Sequence, residues 1–171
     1  MTGPAVVLVG PPGSGKSTVA ALLAERLGLT ARDTDADVEQ AAGKLISEIF
    51  IDEGEPRFRA LEAAAVRAAL TGHDGVVSLG GGAILDPGTR ALLAGLPVVF
   101  LDVALAEAVR RVGLDTARPL LAVNPRQRWR VLMEERRPLY TEVARAVVQT
   151  ADRTPDEVVT AVLDALELRT A

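Results

Sequence analysis

Ala5-Val-Val-Leu-Val9-Gly10-Pro-Pro-Gly-Ser-Gly-Lys16-Ser17-Thr18 decides the fold. Its first five residues are apolar and β-branched without alternation, the pattern of a strand buried on both faces, as in a parallel sheet. Gly10 to Thr18 then satisfies G-x-x-x-x-G-K-[ST] in full. Lys16 to Leu27 continues with helical spacing of Val19, Leu22, Leu23 and Leu27, and Gly28 stands where a C-cap is expected. Strand, glycine loop and helix in this order form a phosphate-binding loop. Gly13, Ser14, Gly15, Lys16, Ser17 and Thr18 are its candidate triphosphate contacts. Glycines let successive N–H groups turn toward phosphate oxygens, and the helix N-terminus adds partial positive charge. The Lys16 ammonium can bridge β- and γ-phosphates, and the Ser17 hydroxyl can serve Mg²⁺, which prefers oxygen ligands in octahedral geometry.

Composition narrows what such a loop can serve. The chain has 171 residues, 49% hydrophobic and 25% charged, enough for one domain with a substantial core. With no cysteine and one histidine, His73, it has no disulfide scaffold, thiolate metal site or cysteine nucleophile, and a multi-histidine site would need several chains. No apolar run is long enough to span a bilayer, and the N-terminus lacks a signal-peptide pattern, so a cytoplasmic protein is expected. The formal net charge of −4 argues against a dedicated nucleic-acid binder. Only Lys16 and Lys44 are lysines, against seventeen arginines. Eight of those arginines, with three acids, crowd into residues 110–137. Arg126, Arg128 and Arg130 are expected on a solvated helix face. The sole asparagine, Asn124, precedes Pro125, so the N-K-x-D signature of a GTPase is absent.

Outward from the loop, strands and helices alternate. A short strand over 30–33 ends in Asp33-Thr34-Asp35; helices are expected at Ala36–Ala42, Leu45–Phe50 and Glu55–Leu70. A third strand, Val76–Leu79, runs into Gly80-Gly81-Gly82. A helix at Pro87–Leu93, a fourth strand at Pro97–Leu101 and a helix at Ala104–Val112 follow. Residues 113–125, with Gly113, Pro119 and Pro125, form a loop or lid. A helix over Arg126–Arg137, a last strand at Ala146–Gln149 and a closing helix at Pro155–Leu168 complete the chain. This alternation implies a parallel sheet covered by helices on both faces, an α/β/α three-layer domain.

Five further motifs follow the loop: Asp33-Thr34-Asp35, Phe58-Arg59-x-x-Glu62, Gly80-Gly81-Gly82, Arg118-Pro-Leu-Leu121 and Arg136-x-Pro-Leu-Tyr140. In this order and spacing, from about Ala5 to Leu168, the chain resembles the shikimate kinases. The resemblance implies a nucleoside monophosphate kinase-like P-loop fold with a five-stranded parallel sheet ordered 2-3-1-4-5. The chain would be a single kinase domain over residues 1–171, with an acceptor-binding subdomain at about 34–62 and a lid at about 112–125. It also implies an ATP- and Mg²⁺-dependent phosphotransferase acting on the 3-hydroxyl of shikimate, expected as a monomer with neither nucleic-acid nor membrane partners. A gluconate kinase-like enzyme is the nearest alternative, since gluconate is also a polyhydroxy carboxylate.

Shikimate asks for cationic forks toward its carboxylate and acceptors for its hydroxyls. Arg59 and Arg136 are planar bidentate donors, Asp35 can accept from neighbouring hydroxyls, and Gly80, Gly81 and Gly82 permit close approach and offer backbone N–H groups. By resemblance these are the acceptor contacts, with Glu62 holding an arginine. Asp33 resembles the aspartate that holds a water of the Mg²⁺ shell. Asp102, which ends the apolar run Val98–Leu101, is the competitor for that role, and Ser78 a further candidate beside the metal waters. Arg118 is expected to reach the transferring phosphoryl group when the lid closes. Lys16, Asp35 and Arg118 form the catalytic set, with Asp35 expected to orient the hydroxyl more than to abstract its proton. Arg111 and Arg153 are expected around the adenine. There the chain departs from the family pattern at Gln149, where an aspartate is frequent. Trp129, just after the lid, is a candidate reporter of closure.

Overall fold

The computed structural model describes residues 3–104, 107–108 and 124–170. Five parallel strands, β1 (Val6–Val9), β2 (Ala31–Asp33), β3 (Val76–Ser78), β4 (Val98–Asp102) and β5 (Ala146–Gln149), form one sheet in the order β2-β3-β1-β4-β5. This is the expected topology. β1 lies at the centre, with Leu8 in register with Ser78 on one side and Val99 on the other. The helices are α1 (Lys16–Leu27), α2 (Thr34–Ala42), α3 (Ile46–Glu53), α4 (Glu55–Gly72), α5 (Pro87–Leu93), α6 (Pro125–Val143) and α7 (Pro155–Ala165), with a 3-10 turn at Ala83–Leu85.

The period of two along each strand sorts side chains to opposite faces. Val6, Leu8, Val99 and Leu101 pack with Val19 and Leu23 of α1 and Val159 and Val162 of α7. Val7, Val9, Val98 and Phe100 pack on the other face with Val66 of α4, Leu93 of α5 and Trp129, Met133 and Tyr140 of α6. Unbroken apolar strands are what this two-sided burial requires. Val38, Ile46, Ile49 and Phe58 form a third small core of their own, joining α2, α3 and α4. Among the described residues no helix is long and apolar enough to cross a membrane.

Two boundaries differ from expectation in ways that matter for the site. The helix expected from Ala36 begins at Thr34, because the Asp33 carboxylate caps it by accepting from the Asp35 N–H at 2.9 Å. Thr34 and Asp35 are therefore first-turn helical residues, not loop. The helix expected to stop at Arg137 continues through Pro138 to Val143. An interior proline costs roughly 3 kcal/mol in a helix. Burial of Tyr140 beyond it, with Leu139 and Val143 against the same core, offsets that cost. As a result Arg136 and Tyr140 lie four residues apart on one helix face. Smaller shifts lengthen α3 to Glu53 and α4 to Gly72 and end α7 at Ala165. Most of the helix expected at Ala104–Val112, and the lid up to residue 123, lie outside the described residues.

Candidate active site

The C-terminal ends of β1, β2 and β3 bring the motifs together. After β1, Gly13 and Gly15 take φ +84°, a left-handed conformation in which a side chain would be strained, and Gly15 caps α1. The Lys16 ammonium reaches back across the loop to the carbonyls of Gly10 (2.8 Å) and Pro11 (3.0 Å) and to Ser14 Oγ (3.4 Å). Ser14 is buried, while Ser17 and Thr18 face solvent on the first turn of α1.

Ser17 Oγ donates to Asp33 Oδ2 at 2.8 Å. A hydroxyl and a carboxylate, both hard oxygen donors, thus meet at the mouth of the phosphate loop, which fits Mg²⁺. No cluster of three or more acidic or histidine side chains suited to a metal occurs among the described residues, so other oxygens would have to complete such an ion's shell. Asp102, the rival acid, is engaged elsewhere. Its Oδ2 accepts from Arg137 Nη1 at 2.6 Å and from Gln149 Nε2 at 3.2 Å. That contact gives position 149 a reason for its amide, since an aspartate there would set a second negative charge against Asp102. Ser78 is buried on β3, in register with Asp33.

The acceptor motifs surround Glu62. This carboxylate on α4 is buried and accepts from Arg59 Nη1 at 2.7 Å. Arg59 also spans to Glu55 Oε2, 3.3 Å from both Nε and Nη2. Burial pushes the Glu62 carboxyl above its usual range; the charge and hydrogen bond of Arg59 pull it back, Asp35 raises it and Arg136 lowers it. Two arginines and two acids therefore share one electrostatic neighbourhood. Arg136 is only 8% exposed, and its Nε has no hydrogen-bond partner. A buried guanidinium with an unmet donor is an anion site in waiting. Clefts of about 380 Å³ beside Arg59, Glu62 and Gly82 and about 650 Å³ between Glu55 and Arg136 flank this neighbourhood.

Within the glycine run, Gly80 has its N–H engaged. The Gly80 N–H already donates to Thr34 Oγ1 at 3.2 Å, so it is not an open donor for a substrate. Its lack of a side chain is what matters: a Cβ there would fall 2.5 Å from Asp35 Oδ1 and 2.8 Å from Glu62 Oε2. A Cβ on Gly82 would strike the Arg59 guanidinium, and one on Gly81 would lie 2.9 Å from Pro12 Cδ. The Gly81 carbonyl accepts from Tyr140 Oη at 2.5 Å. Burial pushes the Tyr140 phenol up to about 12, so it remains a donor at neutral pH.

Arg153 is exposed in the turn between β5 and α7, away from the acceptor cluster in sequence and fold, and Arg126, Arg128 and Arg130 are exposed on α6. Trp129 is buried, with Nε1 unpartnered. Arg111 and Arg118 lie outside the described residues. Sequence reasoning gave no role to Thr34 or Tyr140, although both stand inside quoted motifs; their sheer burial in otherwise polar motifs was the missing signal.

Known proteins resemble the chain along nearly its whole length. The shikimate kinase family model matches residues 12–167. The chain is 67% identical to a shikimate kinase of Streptomyces avermitilis and 63% identical to one of Streptomyces coelicolor, each over 100% of both chains. A solved shikimate kinase from Acinetobacter baumannii, in complex with shikimate, superposes with a TM-score of 0.93 at 35% identity, covering 98% of this chain and 94% of that one. Over nearly its whole length, therefore, the chain belongs to the shikimate kinase family.

Proposed function

We propose that this chain transfers the γ-phosphoryl group of ATP to the 3-hydroxyl of shikimate, giving shikimate 3-phosphate and ADP. The observation that carries the acceptor side is Arg136, a buried guanidinium whose Nε lacks a partner, on an electrostatic neighbourhood shared with Arg59, Glu62 and Asp35. A carboxylate is the ligand such a fork receives in bidentate fashion. The shikimate kinase relatives favour shikimate over gluconate as the polyhydroxy carboxylate.

In this reading Arg59 and Arg136 hold the carboxylate and Glu62 keeps Arg59 aimed. Asp35, at the first turn of α2 beside the glycine run, accepts from the ring hydroxyls and orients the attacking oxygen. A loose transition state asks little of a base, so orientation is its main contribution. Gly13 to Thr18 cradle the phosphates, and Lys16 exchanges its contacts with the Gly10 and Pro11 carbonyls for phosphoryl oxygens. Mg²⁺ bound with ATP would supply charge neutralisation on the phosphates; Ser17 would hold it directly and Asp33 through water. Arg118 is assigned to the transferring group, and Arg111 and Arg153 to the nucleotide. The segment at about 34–62, with its own small core, is the acceptor-binding subdomain, and residues 112–125 are the lid. A monomer completes this reading.

A coupled assay for ADP release tests the reading, run with ATP and Mg²⁺ alone, with shikimate and with gluconate. ADP release that depends on shikimate is expected; release that depends on gluconate instead, or on neither, would overturn it.

A further inference from the structure

The glycine run is gripped from two sides by buried hydroxyls. From α2, Thr34 Oγ1 accepts the Gly80 N–H at 3.2 Å and stands 3.4 Å from the Ser78 carbonyl, to which it donates. From α6, Tyr140 Oη donates to the Gly81 carbonyl at 2.5 Å. Both side chains are fully buried, at 0% exposure. The Tyr140 ring is fixed by stacking on Phe100 of β4, with centroids 4.9 Å apart. Gly80, Gly81 and Gly82 are themselves buried.

The grip matters because the turn has no slack. Gly80 lies against the Asp35 and Glu62 carboxylates, and Gly82 lies against the Arg59 guanidinium, so closely that a single added carbon would collide with each. A shift of the turn toward those side chains therefore presses on them. Thr34 adjoins Asp35 on α2, and Tyr140 is one turn from Arg136 on α6. Each clamp thus ties the turn to an element that carries an acceptor residue.

We propose that Thr34 and Tyr140 are positioning residues for the phosphoryl acceptor, setting the height of the Gly80–Gly82 turn against Asp35, Arg59 and Arg136 without touching the substrate. This deepens the shikimate reading and rests on it for the identity of the acceptor. The clamps act on the turn that abuts Asp35, Glu62 and Arg59, and they reach the phosphate loop only where Gly81 lies against Pro12, so their loss weighs on the acceptor half first.

The test uses the whole chain and the variants Tyr140→Phe, Thr34→Val and Thr34→Ser. Initial rates are taken with each substrate varied at saturating amounts of the other, and amide hydrogen exchange is followed over residues 79–85. Tyr140→Phe and Thr34→Val are expected to raise the shikimate KM by about five- to tenfold, the loss of one buried hydrogen bond. The ATP KM should stay within about twofold and exchange in the turn should accelerate. Thr34→Ser, which restores the hydroxyl, should return the shikimate KM toward that of the unaltered chain. An unchanged shikimate KM, whatever the melting temperature does, overturns the proposal, as does an equal rise in both KM values. If Tyr140→Phe does not fold, the Thr34 pair decides. If the unaltered chain releases no ADP in response to shikimate, it is the substrate reading that fails, and turn exchange unchanged in the variants would then overturn the positioning role.

Discussion

Arg136→Met should separate affinity from stability. The guanidinium is 8% exposed and its Nε is unpartnered, so the free protein bears the cost of a desolvated donor. That cost is on the order of 1–3 kcal/mol for an unmet buried polar group, and more where it is charged. A methionine of similar reach removes the donor while keeping much of the packing, and replacing a buried ion by an apolar side chain is often neutral or stabilising. Glu62 keeps its 2.7 Å contact with Arg59, so no acid is stranded. For a chain of this size roughly 1 kcal/mol moves the melting temperature by about 2–4 °C. The free variant should therefore melt at the same temperature as the parent or a few degrees higher.

With shikimate the order reverses. Loss of one partner of a buried charge pair costs roughly 2–5 kcal/mol, about 30-fold to several thousand-fold in affinity. At a hundred times its dissociation constant a ligand stabilises the parent by about 2.7 kcal/mol. The shikimate-induced rise of several degrees should vanish in the variant. Melting curves with and without shikimate, beside initial rates, give both numbers. A free variant that melts far below the parent yet still rises normally with shikimate would refute the reasoning, because Arg136 would then be a structural cation.

Other perturbations read neighbouring contacts. Glu62 has its carboxyl raised by burial, so its protonated form favours the fold and that stability is lost as pH rises through its folded value. The melting temperature of Glu62→Gln relative to the parent should accordingly climb with pH across that window; a difference flat in pH refutes this. Gly82→Ala places its Cβ against the mobile end of Arg59, not against backbone. It should raise the shikimate KM with a change in melting temperature of only a few degrees, and a collapse of the fold would contradict it. Asp33→Asn keeps a good helix cap but removes the charge, so the Mg²⁺ dependence of kcat should shift with little loss of stability. Asp33→Ala also removes the cap and should cost a further ~0.5–2 kcal/mol in unfolding; equal stability of the two variants would deny the cap.

Much of this site was legible in the residues because its largest features are local. The phosphate loop needs glycines at fixed offsets between a strand and a helix, and unbroken apolar strands read directly as a two-sided parallel sheet. What stayed hidden depends on contacts between distant segments. The extension of α6 past Pro138 opposes local propensity and follows from burying Tyr140 against β4. Apolar-then-acid text fits both Asp33 and Asp102; only the fold shows that Ser17 meets the first and Arg137 the second. The glycine run was expected to offer N–H groups, yet Thr34, 46 residues earlier, already occupies that of Gly80.

In the proposed reading these contacts join the two halves of the reaction into one hydrogen-bonded frame. Asp33 uses one oxygen for Ser17, at the phosphate loop, and the other to cap the helix that carries Asp35. The next residue, Thr34, holds Gly80, and Gly81 is held in turn from α6, which carries Arg136. Every link is a short polar contact and several are buried, where such groups are expensive to leave unmade. In-line transfer needs the acceptor hydroxyl and the phosphoryl group registered to a fraction of an ångström. In the proposed reading Asp33, at the end of β2, and Thr34 and Asp35, on the first turn of α2, supply that register, since the side chain meeting the phosphate loop, the one fixing the glycine turn and the one assigned to the acceptor are consecutive in the chain. A short, stiff spacing of this kind explains why Asp33-Thr34-Asp35 is a single motif and not two.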